Sequence, residues 1–190
     1  MIDQAAATQA LVKRLAPDVP VIASLGNPGL HLFNADPIRT RNFNFRNAMG
    51  MANSMALGVA MAAPEQLCVL LDADGSLLMN LSALPTAGWR APRNLVHVCW
   101  DNRMYEMTGK QETATAGPAD LAAMAEASGY PHVERVETLA AFEAAIDRAL
   151  SEEGPWFILA VVTGERARRD PRSPKSATAI RHRFMGELGG

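Results

Sequence analysis

The chain has 190 residues, 48% hydrophobic and 20% charged, enough apolar material for one domain with a real core and incompatible with disorder. Its formal net charge of −2 gives no general attraction to nucleic acid or to a membrane surface. Cys68 and Cys99 lie in separate apolar runs without metal-ligand or disulfide spacing, and read as buried thiols in a reducing, cytoplasmic setting.

The first 15 residues lack a basic start followed by an apolar stretch, so no secretory leader is expected. Helical periodicity runs over 4–15 and stops before Pro17. VPVIASL (19–25) is a β-branched run that ends at Gly26-Asn27-Pro28-Gly29, a turn signal, and 30–47 reads as irregular. Residues 47–64 carry no charge, but Asn47, Asn53 and Ser54 fit lipid poorly. The segment reads as a small-residue helix over 48–62, buried between protein layers.

LCVLLD (67–72) is a second strand, and Asp74-Gly75-Ser76 turns into a helix over 77–88 that Pro85 should kink or shorten. LVHVCWD (95–101) is a third strand. Helices follow over 118–128, with Pro118 in the first turn, and over 138–150, before a last strand at 156–162. Strands that are almost uninterrupted apolar runs, alternating with helices, predict an α/β fold. The expected architecture is a three-layer parallel sheet with helices on both faces, one domain over 1–190 with a basic, extended tail at 165–190.

In such a sheet ligands sit beyond the carboxyl ends of the strands. Asp74 ends one strand where a helix begins, beside backbone N–H groups suited to an anion. The carboxylate would repel a bare phosphate, and a hard divalent cation removes the conflict by bridging the two. Asn102, ending the neighbouring strand, offers a second hard oxygen. Each turn alone is adequately explained as a turn; the pairing of the two is what suggests a metal–diphosphate site.

These residues resemble a known family. ADGSLLMNLSAL, followed by the DN of Asp101-Asn102, is similar to the thiamine diphosphate (ThDP) signature of Gly-Asp-Gly, a helix and strand, then Asn-Asn. SLGNPGLHLF, NAMGMANSMALGVAMA, PRNLVHVCWDN and YEMTGKQ resemble sulfopyruvate decarboxylase beta subunits and the matching half of phosphonopyruvate decarboxylase. The resemblance implies that Asp74, Asn102 and the backbone carbonyl of Met104 hold magnesium. It implies that Gly75 and Ser76 bind the diphosphate, with Gly26 and Asn27 lining its other side. Met49 would support the bent cofactor, Met107 would pack near the pyrimidine, and Thr108 would approach substrate from a lid-like loop over 105–111. The chain departs from the pattern at Ala73, Asp101, Arg103 and Asn47-Ala48.

By the same resemblance, the cofactor's aminopyrimidine is activated by a glutamate on a separate pyrimidine-binding domain. No acidic residue here has that context, and 190 residues leave no room for a second domain. An alpha-type partner subunit is therefore expected, in a hetero-oligomer acting on a small anionic 2-oxoacid. An acetolactate synthase-like carboligase subunit and a non-catalytic ThDP-binding module are the alternatives. A 2-oxoacid:ferredoxin oxidoreductase subunit ranks lower, since cluster cysteines are absent.

The tail carries Arg166, Arg168, Arg169, Arg172, Lys175, Arg181 and Arg183, read as a solvated segment, or as contacts for a sulfonate, a phosphonate or a partner. His97 reads as a core residue, His132 and His182 as packing or surface residues, and His31 as the one histidine near the cofactor.

Overall fold

A computed structural model describes residues 1–173 and 176–188. In chain order the elements are α1 (Gln4–Arg14), β1 (Val21–Ala23), α2 (Asn27–Ala35), β2 (Asn42–Asn44), α3 (Ala52–Ala62), β3 (Cys68–Ala73), α4 (Asp74–Leu78) and α5 (Ala83–Arg90). There follow β4 (Leu95–Asp101), β5 (Met104–Tyr105), β6 (Gln111–Glu112), a 3₁₀ turn at Ala114–Ala116, α6 (Leu121–Ala127), β7 (His132–Val136), α7 (Leu139–Ser151), β8 (Trp156–Val161) and α8 (Ala177–Glu187).

Six strands form one parallel sheet in the order β2-β1-β3-β4-β8-β7. The pleat sends alternate residues to opposite faces. Val69, Leu71, Val96, Val98, Trp100, Ile158 and Ala160 meet Leu11 of α1, Leu32 of α2 and Phe142 and Ile146 of α7. On the other face, Cys99, Phe157 and Leu159 meet Leu84 of α5 and Leu121 of α6, while Ile22, Cys68 and Leu70 meet Ala56 and Ala60 of α3. Covered on both sides, the central strands need no polar alternation, which is why they read as apolar runs. The three-layer architecture matches the expectation.

Several local readings need correction. The Gly-Asn-Pro-Gly segment opens α2: Gly26, at φ 95, is its N-cap, and Pro28 lies in the first turn, where no N–H is needed. The stretch expected to be irregular holds most of α2 and the edge strand β2. Helix α3 begins at Ala52, four residues late, because Gly50 at φ 76 breaks the helical path. The helix expected over 77–88 is two helices, with Pro85 in the first turn of α5 rather than at a kink. The tail is not a solvated strand of chain. Its helix α8 buries Ile180 and Phe184, and the Phe184 ring meets Phe43 edge-on at 5.4 Å. Lys175 lies outside the described residues.

Candidate functional site

A cleft of about 560 Å³ opens at the carboxyl ends of β1, β3, β4 and β8. Each strand contributes through the turn that follows it. After β1, Gly26 faces Met107, whose Cγ would lie 3.0 Å from any added Cβ. After β3 the chain passes straight into α4, so Asp74 is both the first helical residue and almost fully buried, 1% exposed. The N-cap, Ala73, makes no side-chain cap, which leaves the first-turn amides free for an anion. Gly75 cannot carry a side chain, since a Cβ would stand 2.6 Å from the Tyr105 ring.

After β4, two side chains fold onto the following backbone. Asp101 Oδ1 accepts from the Arg103 N–H and Asn102 Oδ1 from the Met104 N–H, each at 3.1 Å. Arg103 sits at φ 62, a left-handed conformation that residues with a side chain seldom adopt. The segment expected as a lid-like loop is closed by an antiparallel hairpin, β5 with β6. Thr108 lines the cleft with its hydroxyl 2.9 Å from Gln111 Oε1.

Met49 is fixed indirectly. The neighbouring Gly50 donates its N–H to Ser76 Oγ at 3.2 Å, and its carbonyl accepts from Asn80 Nδ2 at 2.9 Å. All ten residues singled out from the sequence, Asp74, Gly75 and Ser76 with Gly26, Asn27, Met49, Asn102, Met104, Met107 and Thr108, border this one cleft. Asn27 also clamps the tail, because its carboxamide donates to the Glu165 carbonyl at 3.0 Å and accepts from the Ala167 N–H at 3.1 Å. His31 borders a different depression with Asp3 and Arg168, not this cleft, so its expected place near the cofactor is wrong. His97 is fully buried below the site, as a core histidine should be.

Sequence reasoning missed two threonines. Thr113 Oγ1 donates to Asp74 Oδ2 at 2.6 Å, and Thr115 Oγ1 donates to Asp101 Oδ1 at 2.7 Å. It also missed Gln4, Trp100 and Glu106, all bordering the cleft. Gln4 Nε2, Trp100 Nε1 and both Glu106 carboxylate oxygens are buried without hydrogen-bond partners among the described residues, though Lys110 Nζ stands 3.4 Å from Glu106 Oε1. Nothing in their sequence neighbourhood signals this, because the cleft they border is assembled from distant segments.

Burial pushes the Asp74 carboxyl up to about 6, with Asp101 adding to the rise and Thr113 opposing it. A cation beside Asp74 would hold it ionised at lower pH. Among the described residues no group of three or more His, Cys, Asp or Glu could hold a metal. A transition-metal centre built from such side chains is therefore not offered. The oxygens available are one carboxylate, one carboxamide and a backbone carbonyl, and these fit a hard ion such as magnesium that retains water and phosphate ligands. The Gly75 cradle and free first-turn amides suit the phosphate side.

The model of the thiamine pyrophosphate enzyme C-terminal TPP binding domain matches residues 25–160. A phosphonopyruvate decarboxylase of Streptomyces viridochromogenes is 38% identical over 153 residues, covering 80% of this chain and 38% of that protein. A sulfopyruvate decarboxylase subunit beta of Methanothermobacter thermautotrophicus is 38% identical over 173 residues, 91% of this chain and 89% of that one. This chain thus spans well under half of the phosphonopyruvate decarboxylase but nearly all of the beta subunit. The crystal structure of benzoylformate decarboxylase from Polynucleobacter necessarius superposes with TM-score 0.70 and 19% identity, over 88% of this chain and 34% of that one, a likeness of fold.

Proposed function

Because the chain belongs to the thiamine pyrophosphate enzymes, with their C-terminal TPP binding domain, we propose that it is the diphosphate- and magnesium-binding subunit of a 2-oxoacid decarboxylase. Its partner is a pyrimidine-domain chain, and its substrate is a small anionic 2-oxoacid of the sulfopyruvate or phosphonopyruvate kind. The observation that carries this reading is the buried Asp74 at the end of β3 beside Asn102 at the end of the adjacent β4, in one cleft with Gly26, Asn27, Met49, Gly75, Ser76, Met104, Met107 and Thr108.

In this reading Asp74, the Asn102 carboxamide and the Met104 carbonyl hold magnesium, and the first-turn amides of Gly75 and Ser76 hold the diphosphate. Gly26 allows close approach on the other side, and Asn27 contributes by fixing the chain there. Met49 and Met107 provide apolar walls that exclude water from the reacting carbon. ThDP, when bound, supplies the electron sink that lets a 2-oxoacid lose carbon dioxide. Thr108 is placed by Gln111 to orient substrate at the mouth of the cleft.

A requirement for a partner is supported by the kinship with a beta subunit and by surface. The sulfopyruvate decarboxylase relative, 89% of which this chain covers, is named subunit beta, which implies another subunit beside it. The outward side of α3 carries Met51, Ser54, Gly58 and Met61, all exposed and uncharged, and Met79 is exposed beyond it. Such an apolar face fits burial against a second chain. No helix among the described residues is long and apolar enough to cross a membrane, and two free buried thiols suit a reducing cytoplasm.

Calorimetric titration of ThDP with magnesium, into the chain alone and mixed with its pyrimidine-domain subunit, tests the proposal. Magnesium-dependent binding that tightens with the partner, and loss of decarboxylation in Asp74→Ala with folding intact, are expected. Absence of binding in both mixtures would sink it.

A further inference from the structure

Next to the metal–diphosphate cleft, and sharing Leu25, Gly26 and Met107 with it, lies a second depression of about 900 Å³. Arg46, Arg166 and Arg169 border it, and among the described residues no Asp or Glu does. None of the three arginines has an ion pair among the described residues. Of the acids next to them in sequence, Asp170 is taken by Arg172 at 2.6 Å, and Glu165 borders a different depression, with His31. Burial lowers the Arg46 guanidinium, and the nearby charge of Arg169 lowers it further. Like charges gathered without a counter-ion are unfavourable unless something anionic joins them.

The arrangement is held rather than accidental. Asn27 grips the backbone at Glu165 and Ala167, and Asn34 Nδ2 donates to the Arg168 carbonyl at 2.8 Å. Arg46 follows β2 on the opposite wall. Asn44, on the same wall, is buried with its carboxamide oxygen unpaired. The acids bordering the cleft are thus Asp74 and Glu106, whereas the charged residues bordering the adjoining pocket are all arginines.

We propose that Arg46, Arg166 and Arg169 form the subsite for a second anionic group of the substrate, a tetrahedral sulfonate or phosphonate one carbon beyond the 2-oxo group. Guanidinium forks present paired N–H donors that match such oxyanions. The 2-oxoacid end then faces Met107 and the cofactor side, and the second anion crosses past Gly26 into the pocket. This rests on the decarboxylase reading above and makes these arginines the residues that discriminate against pyruvate, which has no second anion to place.

The test uses the chain in complex with its pyrimidine-domain subunit, loaded with ThDP and magnesium, as wild type and as Arg46→Gln, Arg169→Gln and the double variant. Thermal melts confirm folding, and Arg46→Lys tests whether charge alone suffices. The probes are unreactive 3-sulfopropionate and 3-phosphonopropionate, by calorimetry, followed by turnover of sulfopyruvate, phosphonopyruvate and pyruvate. Each Gln variant should weaken binding of the preferred probe tenfold or more and lower the kcat/KM ratio of the dianionic substrate over pyruvate by a similar factor. The tighter probe identifies sulfonate or phosphonate as the group recognised. Turnover of a dianionic substrate with KM and probe binding unchanged in the double variant would overturn the subsite while leaving the decarboxylase reading intact. Probe binding that depends on the arginines without turnover of any 2-oxoacid would support the subsite and remove the decarboxylase reading. Neither binding nor turnover would remove both.

Discussion

Thr113 Oγ1 lies 2.6 Å from Asp74 Oδ2, which ties the residue after β6 to the first residue of α4 across the mouth of the cleft. The neighbouring Thr115 repeats the pattern on Asp101, and the two hydroxyls are 2.9 Å apart. Two hydroxyl protons must serve three contacts. Burial pushes the Asp74 carboxyl up to about 6, and the Thr113 hydroxyl, by donating to it, opposes that rise. Beside a cation the same donation steadies the ionised form of Asp74. Thr113→Val keeps the shape and removes the donor. A hydrogen bond to a charged group contributes roughly 1.5–3 kcal/mol, so magnesium affinity with ThDP present should fall about tenfold or more. The loss should be largest near pH 6 and shrink toward pH 8, where Asp74 ionises unaided. Magnesium titrations at several pH values check this; equal affinities throughout would exclude the role.

Asp74 should cost stability in the metal-free chain. Its folded pKa lies above the ordinary 3.8, so the folded state holds more protons than the unfolded state between pH 3.8 and about 6. Stability therefore falls as pH rises through that window, and the deficit persists above it. Asp74→Asn keeps an oxygen for Thr113 and removes the charge. With a chelator present, the variant should be more stable by about 1–3 kcal/mol at pH 7 and no more stable below about pH 4. The same substitution should abolish magnesium-dependent ThDP binding. Urea denaturation with and without chelator separates the two effects, and a destabilised variant at pH 7 would contradict the argument.

Beneath the site, His97 is fully buried, with Nε2 3.9 Å from Asp72 Oδ2 and Nδ1 3.4 Å from the Tyr130 hydroxyl. Burial lowers the imidazole to about 3 and raises the Asp72 carboxyl to about 6. The histidine is therefore neutral in the folded chain and charged in the unfolded one between about pH 3 and 6.5. Its contribution is fully present above pH 6.5 and is lost as pH falls toward 3; Asp72 acts oppositely between 3.8 and 6. Removing the base with His97→Gln should flatten the acid side of the stability profile by roughly 3 kcal/mol between pH 6.5 and 3.5, read from urea midpoints. Superimposable profiles would show that His97 does not titrate as its burial requires.

How much of this was legible depends on where each signal resides. β1, β3, β4 and β8 are covered on both faces and announce themselves as apolar runs, and the glycine, aspartate and asparagine turns after them carried the site. The edge strands were hidden, because β7 (HVERV) is half exposed and polar, and β2 is three residues with two asparagines. Helix α2 was masked by Gly and Pro, which mark turns and helix starts alike. In α8 only Ile180 and Phe184, four apart among charged residues, face the core. Thr113 and Thr115 act on carboxylates whose nearness is created by folding, so no local pattern identifies them.

Asn27 tests whether the tail belongs to the functional body of the protein. Its carboxamide is occupied at both ends by the backbone of Glu165 and Ala167, and Ala167 is buried. Truncation in Asn27→Ala leaves a buried N–H and carbonyl without partners, a penalty of about 1–3 kcal/mol. The core strands do not depend on these two bonds, so the loss should fall mainly on the segment from Glu165 to Asp170. Trypsin should then cut at Arg166, Arg168 or Arg169 at least several-fold faster in the variant, while the remainder resists. ThDP and magnesium should still bind, because the side chain acts by holding chain rather than by touching the cofactor. Binding of a dianionic probe should weaken, since the clamp positions two of the three arginines. Equal protease resistance would mean that α8 alone secures the tail, whereas loss of ThDP binding with the tail still resistant would turn Asn27 into a direct cofactor contact.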